Sequence, residues 1–229
     1  MIKGIIFDLD GVIVSTDEYH YLAWKEVFTT FNIHLTREDN NLLRGVSRME
    51  CVNIICNLYG LTLNKEEKER VASFKNELYL KLLSLLSKKD LKDEVKRTLQ
   101  DIKELKLKMA IGSSSKNAIP ILKRIGMVKQ FDVIVDGNKI TLTKPNPEVF
   151  LRAAALIGLE PSECLVVEDS QAGIDGAKAG GFLSIGIGDA INSNRADYFA
   201  TTFHDIYNII TTLNNDCSPS GLICFNKRT

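Results

Sequence analysis

The sequence of 229 residues carries 29 Lys and Arg against 29 Asp and Glu, so its formal net charge at pH 7 is zero. Its 45% hydrophobic and 25% charged residues are typical of a globular protein, long enough for one large domain or for a core with a smaller appendage. The charge balance argues against a general nucleic-acid binder and against a membrane-surface protein.

Targeting and membrane-spanning patterns are not evident in the sequence. No run of about 18 apolar residues occurs, and Met1-Ile2-Lys3 leads directly into a strand pattern, so we expect neither a spanning helix nor a signal peptide. The five cysteines are odd in number and lack the spacing of metal ligands, which favours reduced thiols. The sequence therefore predicts a cytoplasmic protein without a membrane partner.

The first predicted element is an apolar run that begins at Gly4 and leads into two carboxylates one residue apart. A short apolar run of this kind predicts a strand buried on both faces. Because residues i and i+2 of an extended chain point the same way, Asp8 and Asp10 would face one pocket if the extension persists that far. Two like charges this close are costly unless a cation or a shared proton offsets them. The alternative is a surface turn of the Asp-Gly type after an interior strand.

The pattern changes after Val14. Ser15 predicts the cap of a helix, because acidic residues follow it in what would be the first turn. From there to about residue 87 the apolar residues recur at helical spacing, and no segment is a convincing strand. We therefore predict a helical domain of residues 15–88, inserted into an α/β core domain of residues 1–14 and 89–229.

From residue 94 onward, predicted helices and strands alternate. The strands are expected at residues 108–112, 131–135, 164–167 and 182–186. Alternation with apolar strands indicates a doubly wound parallel sheet with helices on both faces, which the first strand joins. The tail from Asn214 onward is expected to be irregular.

In such a sheet the ligand site lies outside the carboxyl ends of the strands. The residues found there are Asp8 and Asp10, the polar run 113–117, Lys144, and the pair Glu168-Asp169. Taken singly, the polar run could cap a helix, the lysine could be a solvated loop charge, and the acidic pair could complement a helix dipole. Together they fit phosphoryl transfer, because carboxylates suit Mg²⁺, while hydroxyls, main-chain N–H groups and a lysine suit phosphate oxygens. A remaining carboxylate can attack phosphorus.

Four short segments resemble the motifs of the haloacid dehalogenase superfamily of phosphotransferases and phosphatases. They are, in chain order, Asp8-Leu9-Asp10-Gly11-Val12, Ser113, Lys144-Pro145 and Glu168-Asp169. The helical insertion resembles the small α-helical cap of that superfamily, so residues 15–88 are called the cap below. Within the superfamily, the chain is most similar to the mutases that interconvert β-D-glucose 1-phosphate and glucose 6-phosphate. The segments that carry this closer similarity are residues 16–20, 23–24, 44–48, 115–117, 144–145 with Pro147, and 168–174.

The resemblance implies a role for each matching acidic residue. Asp8 would be the nucleophile that becomes phosphorylated, and Asp10 would be the general acid and base toward the sugar oxygens. Mg²⁺ would be held by Asp8, by the main-chain carbonyl of Asp10, and by one or both of Glu168 and Asp169.

The other residues implied by the resemblance bind the two phosphates or the sugar. Those for the transferring phosphoryl group are Ser113, the N–H of Ser114, and Lys144. Those for the distal phosphate, the one that is not transferred, are Arg48, Ser115, Lys116 and Asn117. Those on the cap side of the sugar pocket are His20, Gly45, Val46, Ser47 and Lys75, with Thr16 at the hinge between cap and core. Without the resemblance, the surface helix charge would be the preferred interpretation of Arg48, while for His20 a packed helix residue and a functional residue would be equally open.

Three functions are open at this stage. The first is a Mg²⁺-dependent mutase that acts through an aspartyl-phosphate and glucose 1,6-bisphosphate, as a monomer with a small sugar phosphate as its partner. The second is a phosphatase of the same fold for a small sugar phosphate, since fold alone does not decide the activity. The third is a non-enzymatic binding module, against which the joint presence of Asp8, Asp10, Lys144 and Asp169 argues. Of the two enzymes, the mutase is favoured by Arg48, His20 and Lys75.

Overall fold

The computed structural model describes residues 1–215, which form a parallel β-sheet flanked by helices. The strands are β1 (Gly4–Phe7), β2 (Lys108–Gly112), β3 (Val133–Val135), β4 (Cys164–Glu168), β5 (Leu183–Ile187) and β6 (Tyr198–Ala200). They lie side by side in the order β3-β2-β1-β4-β5-β6, and each neighbouring pair is parallel. The doubly wound α/β fold predicted from the sequence is confirmed.

The central strand β1 lies between two apolar layers. Ile5 and Phe7 pack into one layer and Ile6 into the other, as the alternation along a strand requires. Both faces of β1 are therefore buried, which explains why its sequence is continuously apolar. The helices that cover the sheet are α5 (Asp93–Glu104), α6 (Ala118–Ile125) and α9 (Phe203–Asn215) on the first layer, and α7 (Glu148–Leu156) and α8 (Gln171–Ala179) on the second.

The winding of the sheet changes direction between β1 and β4. The chain passes from β1 through β2 to β3 on one side, and from β4 to β6 on the other. Phe7 and Val167 are paired in the β1–β4 register, so Asp8 and Glu168 follow them at the same carboxyl edge. In doubly wound sheets this point of reversal is where ligands bind.

The chain between β1 and α5 forms the helices α1 (Asp17–Thr29), α2 (Arg37–Asn41), α3 (Arg48–Tyr59) and α4 (Lys65–Leu83). These helices enclose an apolar cluster of their own, which includes Trp24, Phe28, Val52 and Ile55. Helical structure thus occupies the segment for which it was expected, while the boundaries drawn at residues 15 and 88 stay a prediction.

The start of α1 differs from the sequence-based expectation. Thr16, not Ser15, is the N-cap residue, and its side chain makes no capping hydrogen bond. The Thr16 hydroxyl donates to the Asp10 carboxylate instead. The predicted Ser15 cap is wrong, because the segment is placed by this contact with the β1 turn and not by local capping.

The end of the described chain is more regular than its sequence suggests. The expected elements include neither β6 nor α9, and the expectation of irregular structure is wrong at Asn214 and Asn215, which lie in α9. The Ile2 N–H donates to Asn214 Oδ1 at 2.8 Å, and Asn214 Nδ2 donates to the Ile2 carbonyl at 3.0 Å. The remainder of the predicted irregular tail, from residue 216, lies outside the described residues. Among the helices of residues 1–215, none combines the length and the hydropathy of a transmembrane span.

Candidate active site

A cavity of about 520 Å³ lies between the carboxyl edge of the sheet and the cap helices, a size that suits a small molecule. The sequence-predicted site residues in its wall are Asp8, Asp10, His20, Gly45, Val46, Ser47, Arg48, Lys75, Ser113, Ser114, Ser115, Lys116, Asn117 and Asp169. The other three, Thr16, Lys144 and Glu168, are buried and bond to wall residues or to one another. Folding therefore gathers the predicted side chains at one place, while the role of each stays a prediction.

The turn after β1 carries Asp8 into the cavity wall. Asp8 continues the line of the strand, since its N–H donates to the Val167 carbonyl at 2.9 Å. The chain then turns at Gly11, whose φ of 84° lies in the left-handed region. A Cβ atom on Gly11 would lie 1.9 Å from Asp169 Oδ2, so only glycine allows this approach. Asp10 and Gly11 thus form a turn in the cavity wall, and this turn packs against the carboxylate of Asp169.

Lys144 lies between two of the acids. Its buried Nζ donates to Asp8 Oδ1 at 2.5 Å and to Glu168 Oε1. Burial alone would lower the pKa of Lys144, but the charges of Asp8 and Glu168 raise it. Burial raises the pKa of Asp8 to about 7, and the Lys144 charge offsets this only in part. Lys144 is therefore a permanent cation, whereas the ionisation of Asp8 at neutral pH depends on further positive charge.

Asp8, Glu168 and Asp169 form a buried acidic cluster in which one oxygen from each residue lies within 4.8 Å of the others. Burial, followed by the charges of Glu168 and Asp8, holds the pKa of Asp169 well above its usual range. A divalent cation would relieve this repulsion, and carboxylate oxygens are the donors that Mg²⁺ prefers. The residues present therefore fit a hard metal ion.

Asp10 is held by a chain of hydroxyl groups that leads into the cap. The Thr16 hydroxyl donates to Asp10 Oδ1, and the Tyr79 hydroxyl donates to Thr16 Oγ1 at 3.0 Å. Burial raises the pKa of Asp10, although the Thr16 hydrogen bond opposes the shift. A carboxyl group with a raised pKa in a cavity wall can exchange a proton with a ligand. Because Tyr79 lies in α4, the hydrogen bonds of Asp10 depend on the position of the cap.

The cap contributes a basic pair, Lys75 and His20. Lys75 Nζ lies 2.7 Å from His20 Nδ1, and it lies 4.3 Å and 5.0 Å from the ring centroids of Tyr79 and Trp24. Burial lowers the pKa of Lys75 to about 7. Burial and the charges of Lys75 and Arg48 lower the pKa of His20, so its imidazole is neutral. An imidazole that accepts from Lys75 at Nδ1 carries its proton on Nε2.

The loop between β2 and α6 is folded by its own serine side chains. The Ser115 N–H donates to Ser113 Oγ at 3.1 Å, and the Asn117 N–H donates to Ser115 Oγ at 3.2 Å. Ser114 Oγ is buried and lacks a hydrogen-bond partner among residues 1–215. Asn117 occupies the N-cap position of α6 without a side-chain capping bond. The alternative that this polar run only caps a helix therefore does not account for Asn117, because its side chain makes no capping bond to α6.

The side-chain amide of Asn117 and the guanidinium of Arg48 both bond to Asn76, a residue for which the sequence predicted no role. Arg48 Nη2 donates to Asn76 Oδ1 at 2.6 Å, and Asn117 Nδ2 donates to the same oxygen at 3.0 Å. Within the described chain, Arg48 is half-buried and forms no salt bridge. Such a cation suits an anionic ligand. The one sequence signal for Asn76 is that it directly follows Lys75.

Arg44 is a second residue without a predicted role. Its Nη2 lies 3.1 Å from Asp17 Oδ2 within the cap, while its Nη1 pairs with Asp189 of the core and lies 4.0 Å from Asp169 Oδ2. The next residue, Gly45, has a φ of 75°, and a Cβ atom there would lie 2.5 Å from Ser170 Oγ. The cap loop before α3 therefore lies against the core beside the acidic cluster.

Known proteins resemble this chain in both sequence and structure. The sequence model of a haloacid dehalogenase-like hydrolase family matches residues 2–181. The β-phosphoglucomutase of Bacillus subtilis (strain 168) is 39% identical over 189 residues, which cover 81% of this chain and 83% of that protein. The phosphorylated carbohydrates phosphatase of Thermotoga maritima is 27% identical over 198 residues, which cover 85% and 89%. The crystal structure of β-phosphoglucomutase from Clostridium difficile matches with a TM-score of 0.87 at 34% identity, covering 95% of this chain and 99% of that one.

Proposed function

The chain belongs to the haloacid dehalogenase-like hydrolase family, and from that premise we propose that it is a β-phosphoglucomutase. Family membership makes the protein a phosphotransferase or phosphatase. The proposal adds the acceptor and the substrate: the enzyme would interconvert β-D-glucose 1-phosphate and glucose 6-phosphate through glucose 1,6-bisphosphate.

One observation carries this proposal, namely that two different groups suited to phosphate lie in the cavity wall or directly behind it. The first is built around Asp8, Lys144 and the acidic cluster with its proposed metal ion. The second is Arg48, a cation without an acidic partner in residues 1–215, which faces Asn117 across the boundary between cap and core. A mutase that works through a sugar bisphosphate needs both groups at once, whereas the hydrolysis of a monophosphate needs only the first.

The proposed reaction begins when the Asp8 carboxylate attacks a phosphorus atom of the bisphosphate. The bond between that phosphorus and the sugar oxygen breaks, and Asp10 gives its proton to the departing oxygen. In the second half, a sugar hydroxyl attacks the aspartyl-phosphate and returns a proton to Asp10. The raised pKa of Asp10 suits the protonated starting form. Over the cycle, Asp8 and Asp10 return to their starting forms, the bisphosphate is regenerated, and one sugar monophosphate has replaced the other.

Other residues would hold the reacting groups in place. Lys144, which already bonds Asp8, would neutralise charge on the transferring phosphoryl oxygens together with Ser113 and the N–H of Ser114. Where Lys75 Nζ donates to His20 Nδ1, the ring proton of His20 lies on Nε2 and would donate to a sugar hydroxyl. The implied Mg²⁺ ligands are Asp8, the Asp10 carbonyl, Asp169 and Glu168, and the ion would add positive charge against the phosphoryl oxygens.

Transfer to a sugar instead of water requires that the aspartyl-phosphate be shielded. The cap contacts the core through Thr16 and Asp10, through Arg44 and Asp189, and through Asn76 and Asn117. Contacts on several sides of the cavity would keep bulk water from Asp8 until a sugar is bound. This arrangement supports a mutase more than a hydrolase.

The second candidate is a sugar-phosphate phosphatase, which the similarity to the Thermotoga maritima phosphatase favours. Asp8 and Asp10 would keep their roles, and water would accept the phosphoryl group. That reaction gives Arg48 no necessary part.

The deciding experiment supplies each anomer of glucose 1-phosphate with a glucose 1,6-bisphosphate primer and Mg²⁺. Glucose 6-phosphate is followed by a coupled dehydrogenase, and inorganic phosphate is measured in parallel. We expect the β anomer to yield glucose 6-phosphate with little free phosphate. Release of inorganic phosphate without glucose 6-phosphate would contradict the mutase and support the phosphatase.

A further inference from the structure

The side-chain oxygen of Asn76 accepts hydrogen bonds from both halves of the molecule. Arg48, at the start of α3 in the cap, donates to it from Nη2 at 2.6 Å. Asn117, at the N-cap of α6 in the core, donates to it from Nδ2 at 3.0 Å. Asn76 itself is half-buried on α4. A single oxygen atom thus joins a cap cation to a core amide.

The chemistry of the donors fixes the orientation of all three side chains. A guanidinium has only N–H donors, so Asn76 must direct its oxygen and not its NH₂ group toward Arg48. The second lone pair of that oxygen can accept only from a donor, so Asn117 must present its NH₂ group. Rotating the Asn76 amide would place its NH₂ group against the donors of Arg48 and Asn117. Rotating the Asn117 amide would place two oxygen acceptors against each other.

A phosphate oxygen, like the oxygen of Asn76, accepts hydrogen bonds, so Arg48 and Asn117 would present the same N–H groups to it. The fork of a guanidinium suits phosphate, and Arg48 has further N–H groups beyond the one bonded to Asn76. The amide oxygen of Asn76 carries no net charge, so it orders Arg48 without cancelling the positive charge. A carboxylate in its place would compete with the phosphate.

We propose that Asn76 is a positioning residue for the distal phosphate of the sugar. It holds Arg48 and Asn117 against each other before the ligand binds, so the substrate does not bear the whole entropic cost of ordering a long arginine side chain. Because its two partners lie on cap and core, the same oxygen couples phosphate binding to the contact between them. The inference rests on the proposed function, which supplies the distal phosphate.

Replacing Asn76 by alanine removes the shared acceptor without weakening α4, since alanine is the better helix former. We expect Asn76→Ala to raise the KM for β-D-glucose 1-phosphate about tenfold, because the bonds that order Arg48 are charge-assisted. The value of kcat should change by less than about threefold, since Asn76 does not touch the reacting atoms. Asn76→Asp keeps the shape but pairs a carboxylate with Arg48, and should raise the KM about 100-fold.

Two controls separate positioning from general damage to the helix. Glu77→Gln alters the next residue of α4, which is exposed, and should leave the KM within about twofold of wild type. Acetyl phosphate has a single phosphate, so it should phosphorylate Asp8 equally well in wild type and in Asn76→Ala. A KM for Asn76→Ala like that of wild type, or a loss confined to kcat, would overturn the inference.

A binding measurement separates failure of this inference from failure of the proposed function. Trp24 is the one tryptophan of the chain and lies in the cavity wall, so its fluorescence can report the Kd for glucose 6-phosphate. If wild type makes no glucose 6-phosphate, the mutase proposal fails and this Kd alone decides about Asn76. A Kd weakened about tenfold in Asn76→Ala supports the inference, and an unchanged Kd overturns it.

Discussion

The residues around the cavity form two groups, a core half from the ends of the strands and a cap half from the cap helices. Lys144 in the core half and Lys75 in the cap half are both buried, but Lys144 is bonded to acids and Lys75 is not. Lys144 donates to the carboxylates of Asp8 and Glu168, and its pKa is raised despite its burial. Lys75 contacts a histidine nitrogen and two aromatic rings, and burial lowers its pKa to about 7. The same side chain is thus a fixed cation in one half and a marginal cation in the other.

The difference follows from what surrounds each lysine. The core half gathers Asp8, Asp10, Glu168 and Asp169 in low-dielectric surroundings, and these acids repel one another unless positive charge lies among them. In the cap half, Arg44 is paired with Asp17 and Asp189, whereas Lys75 and Arg48 form no salt bridge within residues 1–215. The core half therefore keeps an excess of acids that a metal ion would offset, whereas Lys75 and Arg48 give the cap half positive charge that an anionic ligand would neutralise. We infer that the core half would carry the chemistry, and that the cap half would add Arg48, His20 and Lys75 to substrate recognition.

The largest effect is expected from a substitution that removes the attacking group of the core half and leaves the cap half unchanged. Asp8→Asn deletes the attacking carboxylate but keeps its shape, so turnover of acetyl phosphate and of sugar phosphates should fall at least about 10⁴-fold. Turnover is measured alongside mass spectrometry of the trapped phosphoprotein. Asp101→Asn, on α5 outside the cavity wall, is the matched control and should keep full activity. Unimpaired turnover in Asp8→Asn would contradict both the mutase and the phosphatase.

The next effect tests the charge balance of the core half. Lys144→Met leaves Asp8 and Glu168 buried without their shared cation, so the free energy of unfolding should fall by about 3 kcal/mol. Because the folded-state pKa of Lys144 is raised, its stabilisation is fully present below the ordinary value of 10.5, and hence at pH 7. Urea unfolding with a metal chelator measures the change. Lys108→Met breaks an ion pair whose side chains are 55% and 41% exposed, and should cost less than about 1 kcal/mol. Equal losses of unfolding free energy in Lys144→Met and Lys108→Met would show that the buried ion pairs of Lys144 stabilise the fold no more than an exposed pair.

The smallest expected effect has the opposite sign and lies in the cap half. Lys75→Met removes a buried cation that lacks a bonded acid, so the free energy of unfolding at pH 7 should rise by about 2 kcal/mol. In wild type the pKa of Lys75 falls from 10.5 to about 7 on folding. Between these values the unfolded chain binds more protons, so stability should rise with pH by up to about 1.4 kcal/mol per pH unit. Lys75→Met should lose this contribution to the slope.

The pH window for this measurement is set by other groups that titrate. Below pH 7 the raised pKa of Asp8 makes stability fall as pH rises, and above pH 9 the raised pKa of Cys51 does the same. Between about pH 7.5 and 8.5 the raised pKa of Asp169 acts in wild type and in Lys75→Met alike, so the difference between their urea-unfolding slopes gives the contribution of Lys75. The charged or titratable groups that act on or lie against Lys75 are His20, Arg48, Cys51, Tyr79 and Asp10. Lys81→Met, at an exposed site of the same helix, should keep the wild-type slope. A Lys75→Met variant less stable than wild type would refute the contrast between the two lysines.

Much of the fold could be predicted from local patterns. Continuous apolar runs such as the one that forms β1 indicate strands buried on both faces, and their alternation with helices indicates a parallel sheet. The strand β6 has three residues, too few for a clear pattern. The helix α9 does carry a helical pattern, since Phe203, Ile206 and Ile210 recur on one buried face, but the expected elements did not include it. The N-cap at Thr16 escapes local patterns because the contact with Asp10, and not local propensity, decides where the side chain goes.

The sequence by itself determined the parallel sheet and the core half of the cavity. The carboxyl ends of parallel strands share one edge, so Asp8, Ser113 and Glu168 had to converge once their strands were recognised. No comparable rule applies to helices packed in an insertion. Asn76 and Asn117 are 41 positions apart, and Arg44 and Asp189 are 145 apart, so only the packing of cap on core brings them together. The same is true of the two lysines, because a pKa depends on burial and on charged neighbours, which the residue type does not reveal.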